Sequence, residues 1–316
     1  MPTTTPLRRR SLRVTALTAT GAALTAAVLA TTGAPAPAAV PAGPVAAAAT
    51  STSTTKVTKL LTFVEENHSL AQMQSSMPYT DSLAKTYGYA TDYTATRHPS
   101  LPNYLAIAGG STFGVADDNG PSSHRIAGRS IFGQAIAAGK RAKVYADGMP
   151  RNCSLTNGGT RYAVKHNPWA YFSSSAERRA CKRFDVPVSQ LRGDITNGRL
   201  PNAGMVVPNL CHDAHDCSLG TADRWFKSQM TAIMAGPDWR SGRLAVVLTA
   251  DEDDHSSGNR VLTVVIHRSQ RHHVVSTSLT HYSLTRLYTA VLGRTSYLRS
   301  AATAPHMATA FGLPMP

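Results

Sequence analysis

From residue 59 onward, short unbroken apolar runs alternate with segments of helical periodicity. The clearest runs are Lys59 to Val64 (KLLTFV) and Leu244 to Thr249 (LAVVLT). Runs this short, with no polar alternation, predict strands buried on both faces. Lys143 to Ala146, Gly204 to Val207 and Val261 to Ile266 read the same way. Between them, helices are predicted at Pro78 to Thr86, Leu101 to Ala108, Ile131 to Ala138, Val188 to Thr196, Asp223 to Met234 and Ser283 to Leu292. Ser130 supplies an N-cap for the third of these and Gly139 a stop. The alternation predicts an α/β fold: a mostly parallel central sheet with helices on both faces. Ligands in such folds bind at the carboxyl ends of strands. Three polar clusters fall there: Glu65-Glu66-Asn67-His68, Asn209 to Asp216, and Asp251-Glu252-Asp253-Asp254.

The first residues follow another pattern. Arg8-Arg9-Arg10-Ser11-Leu12-Arg13 is followed by an apolar stretch from Val14 to Leu29 and then Ala/Pro/Gly low complexity. A basic start, a short apolar segment and small residues predict a secretory signal. The paired Arg9-Arg10 suggests twin-arginine export. The segment is shorter than the ~20 apolar residues of a spanning helix, and no later stretch is long enough. The expected organisation is a signal and low-complexity segment over 1–49 and a catalytic domain over 50–316. The mature chain is expected outside the cell, monomeric and without an integral membrane segment.

The formal charge of +14 changes the choice of partner. Even without Arg8, Arg9, Arg10 and Arg13 the chain stays strongly basic, which favours anionic ligands. The basic residues are scattered, with no aromatic-interleaved strip, so no specific nucleic-acid site is indicated. Cys153, Cys181, Cys211 and Cys217 fit two disulfides in an oxidising compartment. Sequence proximity favours 153–181 and 211–217; the rival zinc site would lack any C-x-x-C pair.

Asp251 to Asp254 places four carboxylates in succession on a basic protein, directly after a buried strand. Such a run repels itself unless hydrogen bonds or a hard divalent cation hold it. Glu66 and Asn67 offer further oxygen ligands at a second strand end. Ser100 opens a predicted helix after His98-Pro99, where a free helix N-terminus suits a phosphoryl oxygen. A serine there becomes a nucleophile if a metal lowers its pKa; otherwise it is an ordinary cap. His212, Asp213, His215 and Asp216 crowd one short loop, fit for acid–base work or a second metal. His281 precedes the last helix and could join them.

Six motifs then occur in one order: Glu66-Asn67-His68-Ser69; His98-Pro99-Ser100-Leu101-Pro102-Asn103-Tyr104; Asn167-Pro168-Trp169-Ala170-Tyr171-Phe172; Pro208-Asn209-Leu210-Cys211-His212-Asp213-Ala214-His215-Asp216-Cys217; Thr249-Ala250-Asp251-Glu252-Asp253-Asp254; and Thr280-His281-Tyr282-Ser283. The series resembles the bacterial phosphoesterase family of acid phosphatases and phosphatidylcholine-type phospholipases C, in the alkaline-phosphatase-like superfamily. The resemblance implies a three-layer sandwich and phosphate monoester hydrolysis through a phosphoserine on Ser100. It implies one divalent metal (Mg, Ca, Mn or Zn) held by Glu66, Asn67, Asp251 and Glu252 against Ser100. His98, His215 and His281, with Asp213, would contact phosphate or hold a second metal, and a histidine would protonate the departing alkoxide. Glu252 stands where alkaline phosphatases have His, and Asp213-Ala214-His215 is tighter than their Asp-x-x-x-His. The substrate implied is a phosphorylated small molecule or a phospholipid headgroup. The alternatives are phospholipase C-like diester cleavage and a non-catalytic exported protein binding anion or metal; Ser100 flanked by ligands argues against the latter.

Overall fold

Ten strands punctuate the described residues: β1 (Lys59–Glu65), β2 (Gly88–Ala90), β3 (Tyr93–Thr94), β4 (Ala142–Ala146), β5 (Asp185–Pro187), β6 (Ala203–Val207), β7 (Leu244–Ala250), β8 (Thr263–Ile266), β9 (His273–Val275) and β10 (Leu279–Thr280). They belong to a computed structural model that describes residues 55–316; the expected signal segment over 1–49 lies outside the described residues. Eight strands form one sheet in the order β5-β4-β6-β1-β7-β8-β2-β9, and β3 pairs with β10 separately. Every pairing in the large sheet is parallel except those of β8, which runs antiparallel to β7 and β2. The fold is the expected mixed α/β architecture with a mostly parallel sheet.

The central strands are fully buried along their length, as unbroken apolar runs require. Alternation along β1 separates two covering layers. Phe63 packs edge-on against Phe226 and Trp225 of the helix Leu219–Ala235. Thr62 points the other way and accepts a hydrogen bond from the Tyr288 hydroxyl at 2.7 Å, from the helix His281–Val291. The helix Ser100–Gly109 packs beside that last helix. One face therefore carries the serine helix, and the same alternation directs Glu66 to it.

The helix Leu219–Ala235 begins four residues before its expected start at Asp223. Ser218 caps it by accepting from the Thr221 N–H, a cap the apolar pattern does not reveal. The strand expected from Val261 begins at Thr263 instead, because Val261 N–H donates to Tyr93 O outside the sheet. Both disulfides pair as proximity suggested, Cys153–Cys181 and Cys211–Cys217. No helix among the described residues is long and apolar enough to cross a membrane.

Candidate active site

The neighbouring strands β6, β1 and β7 end together, bringing the three polar clusters side by side. In register, Glu65 lies opposite Ala250, so Glu66 and Asp251 emerge as neighbours. Backbone bonds tie the ends: Asp251 N–H to Glu65 O at 3.0 Å, and Glu66 N–H to Asp213 O at 2.8 Å. Asn67 turns the chain with φ of 50°, a left-handed conformation Asn tolerates better than most residues. Its N–H donates to Asp251 Oδ1 at 3.2 Å.

Ser100 is the first residue of its helix and is 1 % exposed. Its Oγ donates to Glu66 Oε2 at 3.1 Å and lies 3.5 Å from Glu252 Oε1. One turn on, Tyr104 donates its hydroxyl to Glu66 Oε1. Asn103 donates to Glu252 Oε2 at 3.2 Å, while its side-chain oxygen accepts from Thr96 and Arg97 N–H. The free N–H groups at this helix start are fewer than expected. Pro102 has none, and Leu101 donates to Asp118 Oδ1 at 2.9 Å.

Electrostatics explain how these acids coexist. Burial and the charges of Glu66 and Glu252 hold the Asp251 carboxyl well above its usual range. Burial with Glu66 and Asp118 pushes Glu252 to about 8. Glu66 behaves oppositely: burial would raise it, but His166 and Tyr104 bring it below the ordinary value. His166 would be lowered by its complete burial, yet Glu66 and Asp213 raise it to about 10. Its Nε2 lies 3.1 Å from Glu66 Oε2 and its Nδ1 3.2 Å from Asp213 Oδ2. Neither approach has hydrogen-bond geometry, and His166 Nε2 and Asp213 Oδ2 are left unpartnered.

Glu66, His166 and Asp213 converge enough to hold one ion, each offering an atom within 4.8 Å of the others. Asn67 Oδ1 and Asp251 Oδ2 are also buried without a partner. Orphaned oxygens beside buried carboxylates fit a hard divalent cation. A second group, Cys153, Cys181 and Asp185, is not such a site, because its cysteines are disulfide-bonded.

The histidines fall in different places. His98 sits over Glu252 and Asp253, at 3.0 and 3.2 Å, and stacks on His255 with centroids 3.8 Å apart. His215 is exposed, 2.9 Å from Asp216, with its ring centroid 6.0 Å from that of His166. His281 is fully buried, its Nε2 bound to Asp251 O at 2.6 Å and its Nδ1 to Tyr93 OH at 3.1 Å. Burial lowers it to about 4, so it stands behind the acids as a neutral ring. His166 is the residue the sequence reading passed over. It immediately precedes the Asn167-Pro168-Trp169 motif, the one signal that could have marked it.

The fold and the comparisons with known proteins define a class, a hydrolase acting on phosphoric ester bonds. A model of the phosphoesterase family matches residues 58–293, and the chain belongs to that family. It is 30 % identical over 243 residues to a phosphatidylinositol-3-phosphatase of Mycobacterium tuberculosis, covering 75 % of this chain and 78 % of that one. It is 30 % identical over 212 residues to a phosphate-repressible acid phosphatase of Penicillium chrysogenum, covering 64 % of this chain and 51 % of the relative. The chain thus spans about half the length of that fungal enzyme. In fold it is similar to an alkaline phosphatase superfamily protein from Vibrio parahaemolyticus, with a TM-score of 0.51 and 13 % identity over 76 % of this chain and 67 % of that one.

Proposed function

We propose that the protein is a secreted, metal-dependent phosphomonoesterase in which Ser100 is the nucleophile. The observation that carries this reading is the Ser100 hydroxyl, buried at a helix start and directed at Glu66 among converging carboxylates. A bound divalent cation would lower the Ser100 hydroxyl pKa and offset phosphoryl charge. Glu66, Asn67, Asp251 and Glu252 would hold it, with His166 and Asp213 completing the set or forming a second position.

Ser100 Oγ attacks phosphorus, its proton passing toward Glu66, and the bond from phosphorus to the leaving oxygen breaks. Tyr104 keeps Glu66 aimed at the serine. His215, exposed at the rim, and His98 are the groups placed to protonate the departing alkoxide. Water then hydrolyses the phosphoserine, returning Ser100. His281 acts as a positioning residue through the Asp251 carbonyl.

The named activity of the mycobacterial relative makes the phosphate monoester of an inositol lipid headgroup one candidate substrate. The two disulfides support an oxidising location, consistent with export by the Arg9-Arg10 signal. The test is turnover of p-nitrophenyl phosphate by chelator-treated protein with Mg, Mn, Ca or Zn restored singly. Activity with at least one metal, lost in Ser100→Ala, supports the reading. Absence of turnover with every metal, or full activity in Ser100→Ala, overturns it.

A further inference from the structure

Two abutting clefts lie beside the candidate active site. The first, of about 390 Å³, is lined by Asp118, Lys165 and His215. Asp118 accepts from Leu101 N–H, next to Ser100, so this cleft borders the site described above. The second, of about 290 Å³, shares Ser122, Leu155 and Thr156 with the first and adds Arg125 and Arg178. The shared residues set the two clefts side by side, with an acid and a histidine lining one and two guanidinium groups lining the other.

Arg125 has no carboxylate within ion-pair distance, and Arg178 feels only the longer-range attraction of Asp185. Among the described residues neither forms an ion pair. The acids of the neighbouring loop are engaged elsewhere, Asp117 with His124 at 2.5 Å and Asp118 with Lys165 at 3.0 Å. Arg125 makes no side-chain hydrogen bond and is exposed. Arg178 donates Nη1 to Ala170 O at 3.0 Å, leaving its other donors free of any oxygen acceptor. Burial lowers the Arg178 guanidinium; Asp185 opposes this, and the like charge of Arg125 adds to it. Leu155, which lines both clefts, lies 41 % exposed, one of two large apolar side chains so presented among the described residues.

We propose that Arg125 and Arg178 form a subsite for a second phosphate on the same substrate, with the carbon skeleton crossing Leu155. Two forked guanidinium groups match the negative charge and the several acceptor oxygens of a phosphate. This deepens the phosphomonoesterase reading and rests on it for which phosphate is cleaved. The second phosphate could be a monoester, as in a soluble bisphosphate, or the diester of a phosphoinositide.

The experiment has a binding and a kinetic arm. Butane-1,4-diol bisphosphate and monophosphate are titrated into Ser100→Ala protein, with and without Arg125→Gln. Arg125 is exposed and makes no side-chain hydrogen bond or ion pair in the fold, so its replacement leaves folding intact; Arg178→Gln is added second, with melting temperature as control. The bisphosphate is expected to bind about tenfold more weakly once Arg125 is lost, with monophosphate affinity unchanged. Equal binding by both proteins, or equal loss for both ligands, overturns the subsite. In the kinetic arm, wild-type kcat/KM for the bisphosphate exceeds that for the monophosphate, and Arg125→Gln removes the difference while p-nitrophenyl phosphate turnover is unchanged. Retention of the preference in the variant also overturns it. If no ester is turned over yet bisphosphate affinity still depends on Arg125, the catalytic reading fails and the subsite stands. Comparing glycerophosphoinositol 3-phosphate with phosphatidylinositol 3-phosphate vesicles separates a soluble diester from a lipid surface.

Discussion

The Ser100 hydroxyl donates to Oε2 of Glu66 across 3.1 Å, joining the first residue of a helix to the end of the central strand. The other Glu66 oxygen accepts from Tyr104, one helical turn from the serine. One carboxylate is thus gripped twice by the same helix. That arrangement fixes where the nucleophile stands relative to the strand-end acids.

Tyr104→Phe removes one grip and leaves the packed ring. Loss of a hydrogen bond to a charged group costs about 1.5–3 kcal/mol. If it acts by aiming Glu66, kcat falls about tenfold or more with KM little changed. Steady-state kinetics on p-nitrophenyl phosphate check this; an altered KM at constant kcat would place Tyr104 in substrate binding instead.

Divalent metal should stabilise the protein through the orphaned oxygens of Asn67 and Asp251. At a metal concentration about 100 times Kd, binding contributes about 2.7 kcal/mol. For a domain of this size that raises Tm by about 5–10 °C after chelator treatment. In Asp251→Asn the rise should largely vanish, because one ligand charge is gone. Thermal melts with and without metal measure both.

His166 bridges Glu66 and Asp213 in complete burial. His166→Ala leaves their charges uncompensated, a loss of about 3–5 kcal/mol in metal-free protein. Denaturant unfolding should show the loss without metal and a smaller one with metal bound, since a cation supplies the missing positive charge. An equal loss in both conditions would mean that His166 matters only for packing.

The placement of Glu66, Asn67, Asp251 and Glu252 was legible because the two preceding strands are unbroken apolar runs, and strand ends in parallel sheets are where ligands bind. His166 was not legible for the opposite reason. It lies in a 3₁₀ turn, Val164–His166, after a loop without periodicity, where a single histidine carries no pattern. Tyr104 was hidden on a helix buried on all sides, which gives no polar face to read. β2 and β9 have three residues each, too short for alternation to register. His281 was correctly seen at a helix start, but only coordinates reveal that both of its nitrogens are engaged within the fold.

Asp185 gives a pH dependence independent of the site. Burial raises its carboxyl to about 7 against an ordinary value of 3.8, although Asn167 donates to both its oxygens and Arg178 also draws it down. Between those values the folded state binds more protons than the unfolded state, so stability falls as pH rises from about 4 to about 7 and is level above. Asp185→Asn removes this contribution. Its stability relative to wild type should improve by up to about 4 kcal/mol between pH 4 and pH 8. Urea unfolding at both pH values measures the difference; a constant gap would contradict it.

The central claim is that the phosphoryl group passes through Ser100. Wild-type protein with metal restored is mixed with p-nitrophenyl phosphate, quenched in acid within a turnover, and digested for mass spectrometry. The account predicts a phosphate on Ser100, absent in Ser100→Ala. Active enzyme that carries no phosphate on Ser100 under any quench time, with label on another residue, would contradict it.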